Sequence, residues 1–148
     1  MKKVILVLAL ALMGASAFSQ RPGDILERYL QVKDALVASD GDAAKLHAAG
    51  LHSAVSAAGP FGERDALLKG TQRLAKAHGL EKQRLALAEV SEILWRVGKS
   101  YGGDEGVVYY QYCPMKNAHW LSIEQAIRNP YYGAAMLTCG QTTETRAK

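Results

Sequence analysis

From Asp24 onward, apolar residues recur three and four positions apart. Ile25, Tyr29, Val32 and Leu36 fall on one stripe, widened by Leu26, Leu30 and Val37. That spacing predicts an amphipathic helix. Asp24 with Glu27 three residues on is a capping-box-like start. Ser39-Asp40-Gly41-Asp42 stops this helix and caps a second, in which Ala44, Ala48, Leu51, Val55 and Ala58 keep the period. Their small side chains allow a close helix approach. Gly59-Pro60-Phe61-Gly62 is a break. Ala66, Leu67, Thr71 and Leu74 mark a third helix that ends at His78-Gly79, with Gly79 as its C-cap. A fourth carries Leu87, Val90, Leu94, Trp95 and Val97, reaches Tyr101, and ends at Gly102-Gly103. Four such helices with short joints pack most economically as an up-and-down bundle.

The pattern changes at Gly106. Val107-Val108-Tyr109-Tyr110-Gln111-Tyr112 is β-branched and aromatic, the profile of a strand. His119-Trp120-Leu121-Ser122 reads as a helix start, with Ser122 capping toward Gln125. Asn129-Pro130-Tyr131-Tyr132-Gly133 is a turn, and the polar residues 141–148 read as a frayed tail. The predicted fold is therefore mainly α, a bundle of about four helices followed by a small C-terminal β/loop subregion.

The first twenty residues belong to a different class. Lys2 and Lys3 precede the apolar run Val4–Met13, and small residues follow at 14–17. This is the layout of a secretory signal peptide, and the run is shorter than the roughly 20 residues that span a bilayer. Cleavage after Ala17 or after Ser19 fits. Export to the periplasm is expected, without membrane insertion, leaving one domain over residues 21–140. Of 18 basic residues, 16 then remain against 14 acidic ones. They are spread singly along helix faces, which argues against nucleic acid as a partner. At 49% hydrophobic and 22% charged residues, the chain has an ordinary globular composition. No His-Glu-x-x-His, Gly-x-Ser-x-Gly, phosphate loop or Cys-x-x-Cys is present, so a non-enzymatic protein is expected.

Sulfur is distributed unevenly. Beyond the signal, every sulfur atom belongs to Cys113-Pro114-Met115 or to Met136-Leu137-Thr138-Cys139. Pro114 biases Cys113 toward extended backbone, in which Cys113 and Met115 share a side. Met136 and Cys139 share a face if their segment makes a helical turn. Two thiolates with two thioethers form a soft ligand set, suited to Cu(I) or Ag(I). Zinc is less suited, although Cys113, Cys139 and His119 could supply part of a site. The competing reading is a Cys113–Cys139 disulfide, the ordinary state of a cysteine pair in an exported protein. Tyr112, Trp120, Tyr131 and Tyr132 would form an aromatic shell around the ion, or simply core. His47 and His52 are five apart, and with His78 they read as helix-surface histidines.

Tyr112-Cys113-Pro114-Met115, Trp120-Leu121-Ser122, Ile127-Arg128-Asn129-Pro130-Tyr131-Tyr132-Gly133, Met136 and Cys139-Gly140 together resemble the bacterial domain of unknown function 3347. The run Tyr29–Leu36 looks like that family's opening segment, so the resemblance spans nearly the whole mature chain. It implies a small exported protein of a kind that occurs beside, or fused to, periplasmic adaptor subunits of copper and silver efflux pumps. Gln111–Met115 is also similar to the Tyr-x-Cys-Pro-Met pattern of heavy-metal-binding modules. The second Cys-Pro-x-Cys-Gly-Met half of those modules is missing here. The resulting expectation is a Cu(I)/Ag(I) carrier or buffer, with Cys113 and Cys139 as primary ligands, Met115 and Met136 completing the set, and His119 a further candidate. An interaction module closed by the disulfide is the alternative.

Overall fold

The computed structural model describes residues 23–98 and 106–146. The signal segment, Tyr101 and Gly102-Gly103 lie outside these residues.

Four helices form as the periodicity predicts: α1 (Gly23–Val37), α2 (Gly41–Ala57), α3 (Arg64–Lys76) and α4 (Leu80–Val97). Their stripes meet in one core that includes Tyr29, Leu36, Leu51, Leu67, Leu87 and Leu94. Consecutive helices pack in turn, whereas α1 and α4 barely touch. The joints have specific chemistry. Asp40 N–H reaches Ala35 C=O at 2.9 Å and Ser39 N–H reaches Leu36 C=O at 3.1 Å, the paired bonds of a Schellman ending. Ser39 sits there at φ 57°, where glycine is the usual choice. Its hydroxyl accepts from Arg84 Nη2 at 2.9 Å, a bond that glycine could not make. Asp40 then caps α2 by accepting from Ala43 N–H at 2.9 Å.

The gap between α1 and α4 is filled by a three-stranded antiparallel sheet. Its strands are β1 (Val108–Cys113), β2 (Ala118–Ser122) and β3 (Gln141–Arg146), in the order β2-β1-β3. β2 packs on α4 and also touches α1. Two expectations are corrected here. His119–Ser122 belongs to a strand and does not start a helix: Tyr112 pairs with His119 and Tyr110 with Leu121. Its side chains alternate between two covered faces, a period of two that five residues reveal poorly. Ser122 caps only a local turn, accepting from Glu124 N–H at 3.0 Å.

The tail is likewise ordered through Arg146. Gln141–Arg146 lines the free edge of β1, pairing Tyr112 with Gln141 and Val108 with Arg146. The register shifts between Tyr110 and Gln111, leaving Thr143 as the extra residue of a bulge, where its hydroxyl donates to Tyr110 C=O at 3.1 Å. Most β3 side chains are exposed, so it reads as tail by hydropathy. Backbone pairing holds it instead, together with the Arg146 guanidinium 3.7 Å above the Trp95 ring.

Candidate functional site

Residues opposite one another in an antiparallel pair share a face, and this rule sorts the predicted site residues. Tyr110, Tyr112 and His119 lie on the face toward α4. Tyr110 stacks on Trp95 at 4.6 Å and 2°, and on His119 at 4.3 Å and 7°. Tyr112 tilts against the other side of His119 at 4.6 Å and 40°. With Arg146 above Trp95, five side chains form one continuous stack. Burial pushes the Tyr110 hydroxyl up to about 12, aided by Glu92 and Glu144. Burial also pulls the His119 imidazole below its ordinary value, while Glu92 and Glu144 oppose the shift.

Gln111, Cys113, Ala118 and Trp120 occupy the other face, under the segment 123–140. Trp120 is fully buried and meets Tyr131 edge-on at 6.0 Å. Cys113 is fully buried and Cys139 partly exposed, and no disulfide joins them in this structure. The β1–β3 ladder starts at the Tyr112–Gln141 pair, and Gly140 immediately precedes it. Cys139 lies outside β3, two residues before Gln141, so the pairing brings its segment next to the Cys113 end of β1 without assigning the two side chains to one face. A Cβ on Gly140 would meet the Tyr112 carbonyl at 2.9 Å and Trp120 at 2.8 Å, so the chains approach closely there.

The structure does not gather all the predicted ligands. Cys113 is extended, but the chain turns at Pro114. The i, i+2 side-sharing with Met115 therefore never forms, and Met115 is exposed at the hairpin tip. His119 is on the opposite face from Cys113. Met136 ends a 3-10 turn (Gly133–Met136), and Cys139 N–H bonds its carbonyl at 3.1 Å, which keeps these two on one turn as the spacing predicts. The aromatic shell divides likewise. Trp120 and Tyr131 border the cysteine face, Tyr112 belongs to the stack, and Tyr132 packs under Lys116 with 5.2 Å from ammonium to ring centre.

Asn129, fully buried, is the residue that sequence reasoning undervalued. Its Nδ2 donates to Cys139 C=O at 2.7 Å, and its Oδ1 accepts from Tyr131 N–H at 2.8 Å. Its own N–H reaches Leu137 C=O at 2.8 Å. One side chain thus fixes the position of Cys139. An asparagine before proline signals a turn, but not that its amide holds a residue ten positions later. Gln111 is the second omission. Its Nε2 donates to Glu124 C=O and Gln125 C=O, both at 3.2 Å. Its Oε1, and Nε1 of the facing Trp120, have no hydrogen-bond partner among the described residues. An unpaired donor and an unpaired acceptor therefore lie on the face that carries Cys113. Among those residues, no three His, Cys, Asp or Glu side chains cluster as a metal site.

This architecture, a helical bundle carrying a small C-terminal sheet, defines the structural class. The family described as "Protein of unknown function (DUF3347)" matches residues 25–106, and the chain belongs to it. The match spans the four helices and stops short of β1, so the cysteine and methionine motifs lie beyond it. No curated protein and no solved structure matches the chain.

Proposed function

We propose that this protein binds a soft monovalent ion, Cu(I) or Ag(I), through Cys113 and Cys139, as an exported carrier or buffer and not an enzyme. The observation that carries the reading is the close approach of the Cys139-Gly140 segment to the Tyr112-Cys113 end of β1, where a Cβ on Gly140 would lie 2.9 Å from the Tyr112 carbonyl. Thiolates are the preferred ligands of such ions, and the Met136 thioether on the Cys139 turn suits the same ion. The unpaired Trp120 Nε1–H on the Cys113 face is consistent with it, since a free donor on that buried face can offset the cost of a nearby negative charge. Met115 and His119 leave the ligand set by position. A periplasmic location and a heavy-metal efflux adaptor as partner rest on the signal-like N-terminus and the family resemblance.

The same close approach favours a second reading, a Cys113–Cys139 disulfide in an interaction module. A thiol count on protein isolated without reductant, followed by Cu(I) competition, separates the two. The metal reading expects two free thiols and tight Cu(I) retention, lost in Cys139→Ser and weakened less in Met136→Leu. Retention equal to wild type in the Cys113→Ser/Cys139→Ser double variant sinks it. Thermal stabilisation by Cu(I), following ligand linkage, is a second readout.

A further inference from the structure

A groove of about 520 Å³ opens between the start of α4 and the tip of the β1–β2 hairpin. Its volume lies within the range of small-molecule sites. One wall is a stripe of α4 on which Leu80, Arg84 and Ala88 recur every four residues, with Leu85 beside them. Lys116 and Tyr132 form the facing wall. Leu85 is 75% exposed, a large aliphatic side chain left uncovered on a groove wall, where a surface helix ordinarily places polar residues.

The polar groups at this groove are few and mostly of one sign. Arg84 is fixed in place: Nε donates to Pro130 C=O at 2.8 Å and Nη2 to Leu36 C=O at 3.2 Å, besides its bond to Ser39. Lys116 is held over the Tyr132 ring. Glu81 is the one acid among the lining residues, so the groove carries a net single positive charge. The N-terminus of α4 opens at the same place, and no side chain caps it. Its positive end adds to the field in the same sense.

We propose that this groove binds an amphipathic organic monoanion. Its apolar body lies along Leu80, Leu85 and Tyr132, and its acid group lies between Arg84 and Lys116. One negative charge balances the site, and the body covers the apolar wall that is now open to water. The proposal is independent of the sulfur chemistry, because no cysteine or methionine lines the groove.

Calorimetric titration of the mature protein with decanoate, decan-1-ol and decyltrimethylammonium tests this inference, each ligand kept below its micellar concentration. Decanoate should bind at one site, about tenfold or more tighter than decanol, and the cation should not bind. Lys116→Gln should weaken decanoate about tenfold and leave decanol unchanged. Leu85→Asp should weaken both. Both side chains are exposed, so far-UV circular dichroism and the melting temperature should stay at wild-type values. No decanoate binding, equal binding of decanoate and decanol, or indifference to both substitutions would overturn the proposal. Sedimentation velocity adds another check: a dimer that decanoate dissociates would make a second copy of the chain the occupant and overturn it as well.

Discussion

Tyr29 of α1 and Ser91 of α4 share a hydrogen bond of 2.7 Å inside the core, and the same tyrosine hydroxyl accepts from Leu121 N–H of β2 at 3.0 Å. Ser91 in turn donates to Leu87 C=O at 2.7 Å. A hydrogen-bonded chain thus runs from the sheet edge through α1 into α4. Tyr131 completes the edge by donating to His119 C=O, and burial holds its hydroxyl well above the ordinary tyrosine value. β2 is an edge strand by topology. The two tyrosines satisfy its outward His119 C=O and Leu121 N–H, which blunts this edge against pairing with other chains.

Tyr29→Phe should therefore cost about 1–3 kcal/mol, because it strands a buried N–H and removes a partner of a buried hydroxyl. Urea unfolding measures it. Ser91→Ala should cost less, and a double-mutant cycle should show the two changes coupled. A loss below about 0.5 kcal/mol for Tyr29→Phe, the low end for a net hydrogen bond, would dismiss the chain as a structural joint.

Deleting residues 141–148 should lower the unfolding midpoint while leaving the helical signal intact. β1 would lose its partner along one edge, and Trp95 the guanidinium above it. Hydrogen exchange should accelerate at Tyr110 and Tyr112. An unchanged midpoint with unchanged exchange is the result a frayed tail would give.

Gly133→Ala should destabilise by about 2–4 kcal/mol, combining the cost of a left-handed non-glycine residue with overpacking. Gly133 has φ 57°, and a Cβ there would meet Ser39 Oγ at 2.5 Å and the Val37 carbonyl at 2.9 Å. Gly62→Ala is the control, since a Cβ at that position meets nothing within 4 Å. It should be neutral, or stabilising by about 0.4–1 kcal/mol through a less flexible unfolded chain. Equal melting temperatures for the two variants would contradict the packing described.

Stability should fall as pH drops below the unfolded histidine value near 6.5, and His119 should account for part of that fall. Burial lowers its folded pKa, so in this window the unfolded chain binds more protons and acid favours unfolding. The contribution is fully present above the unfolded value and is lost as pH falls through the folded one. Glu92 and Glu144 oppose the shift. His119→Phe keeps an aromatic ring between Tyr110 and Tyr112, and should flatten the dependence between pH 7.5 and 5.5. A wild-type slope in that variant would reassign the titration to another group.

The four helices were legible in the sequence because each carries its own evidence. A 3.6-residue apolar period, an Asp cap at Asp40 and breaks at Gly59–Gly62 and Gly79 are local signals, readable without knowing what packs against what. The sulfur pairs were legible as composition, and the Met136–Cys139 turn as spacing. Strands β2 and β3 were not. Ala118–Ser122 and Gln141–Arg146 have their state set by β1, a partner distant in sequence, and five or six residues carry too little periodicity to declare it. The division of Cys113 from His119 and Met115 has the same origin. Strand pairing assigns each side chain to a face, and a turn at Pro114 sends its neighbour outward. Local propensity determined the bundle; the site was decided by which backbone edges met, since hydrogen bonding between strands is a long-range choice that no short window of sequence contains.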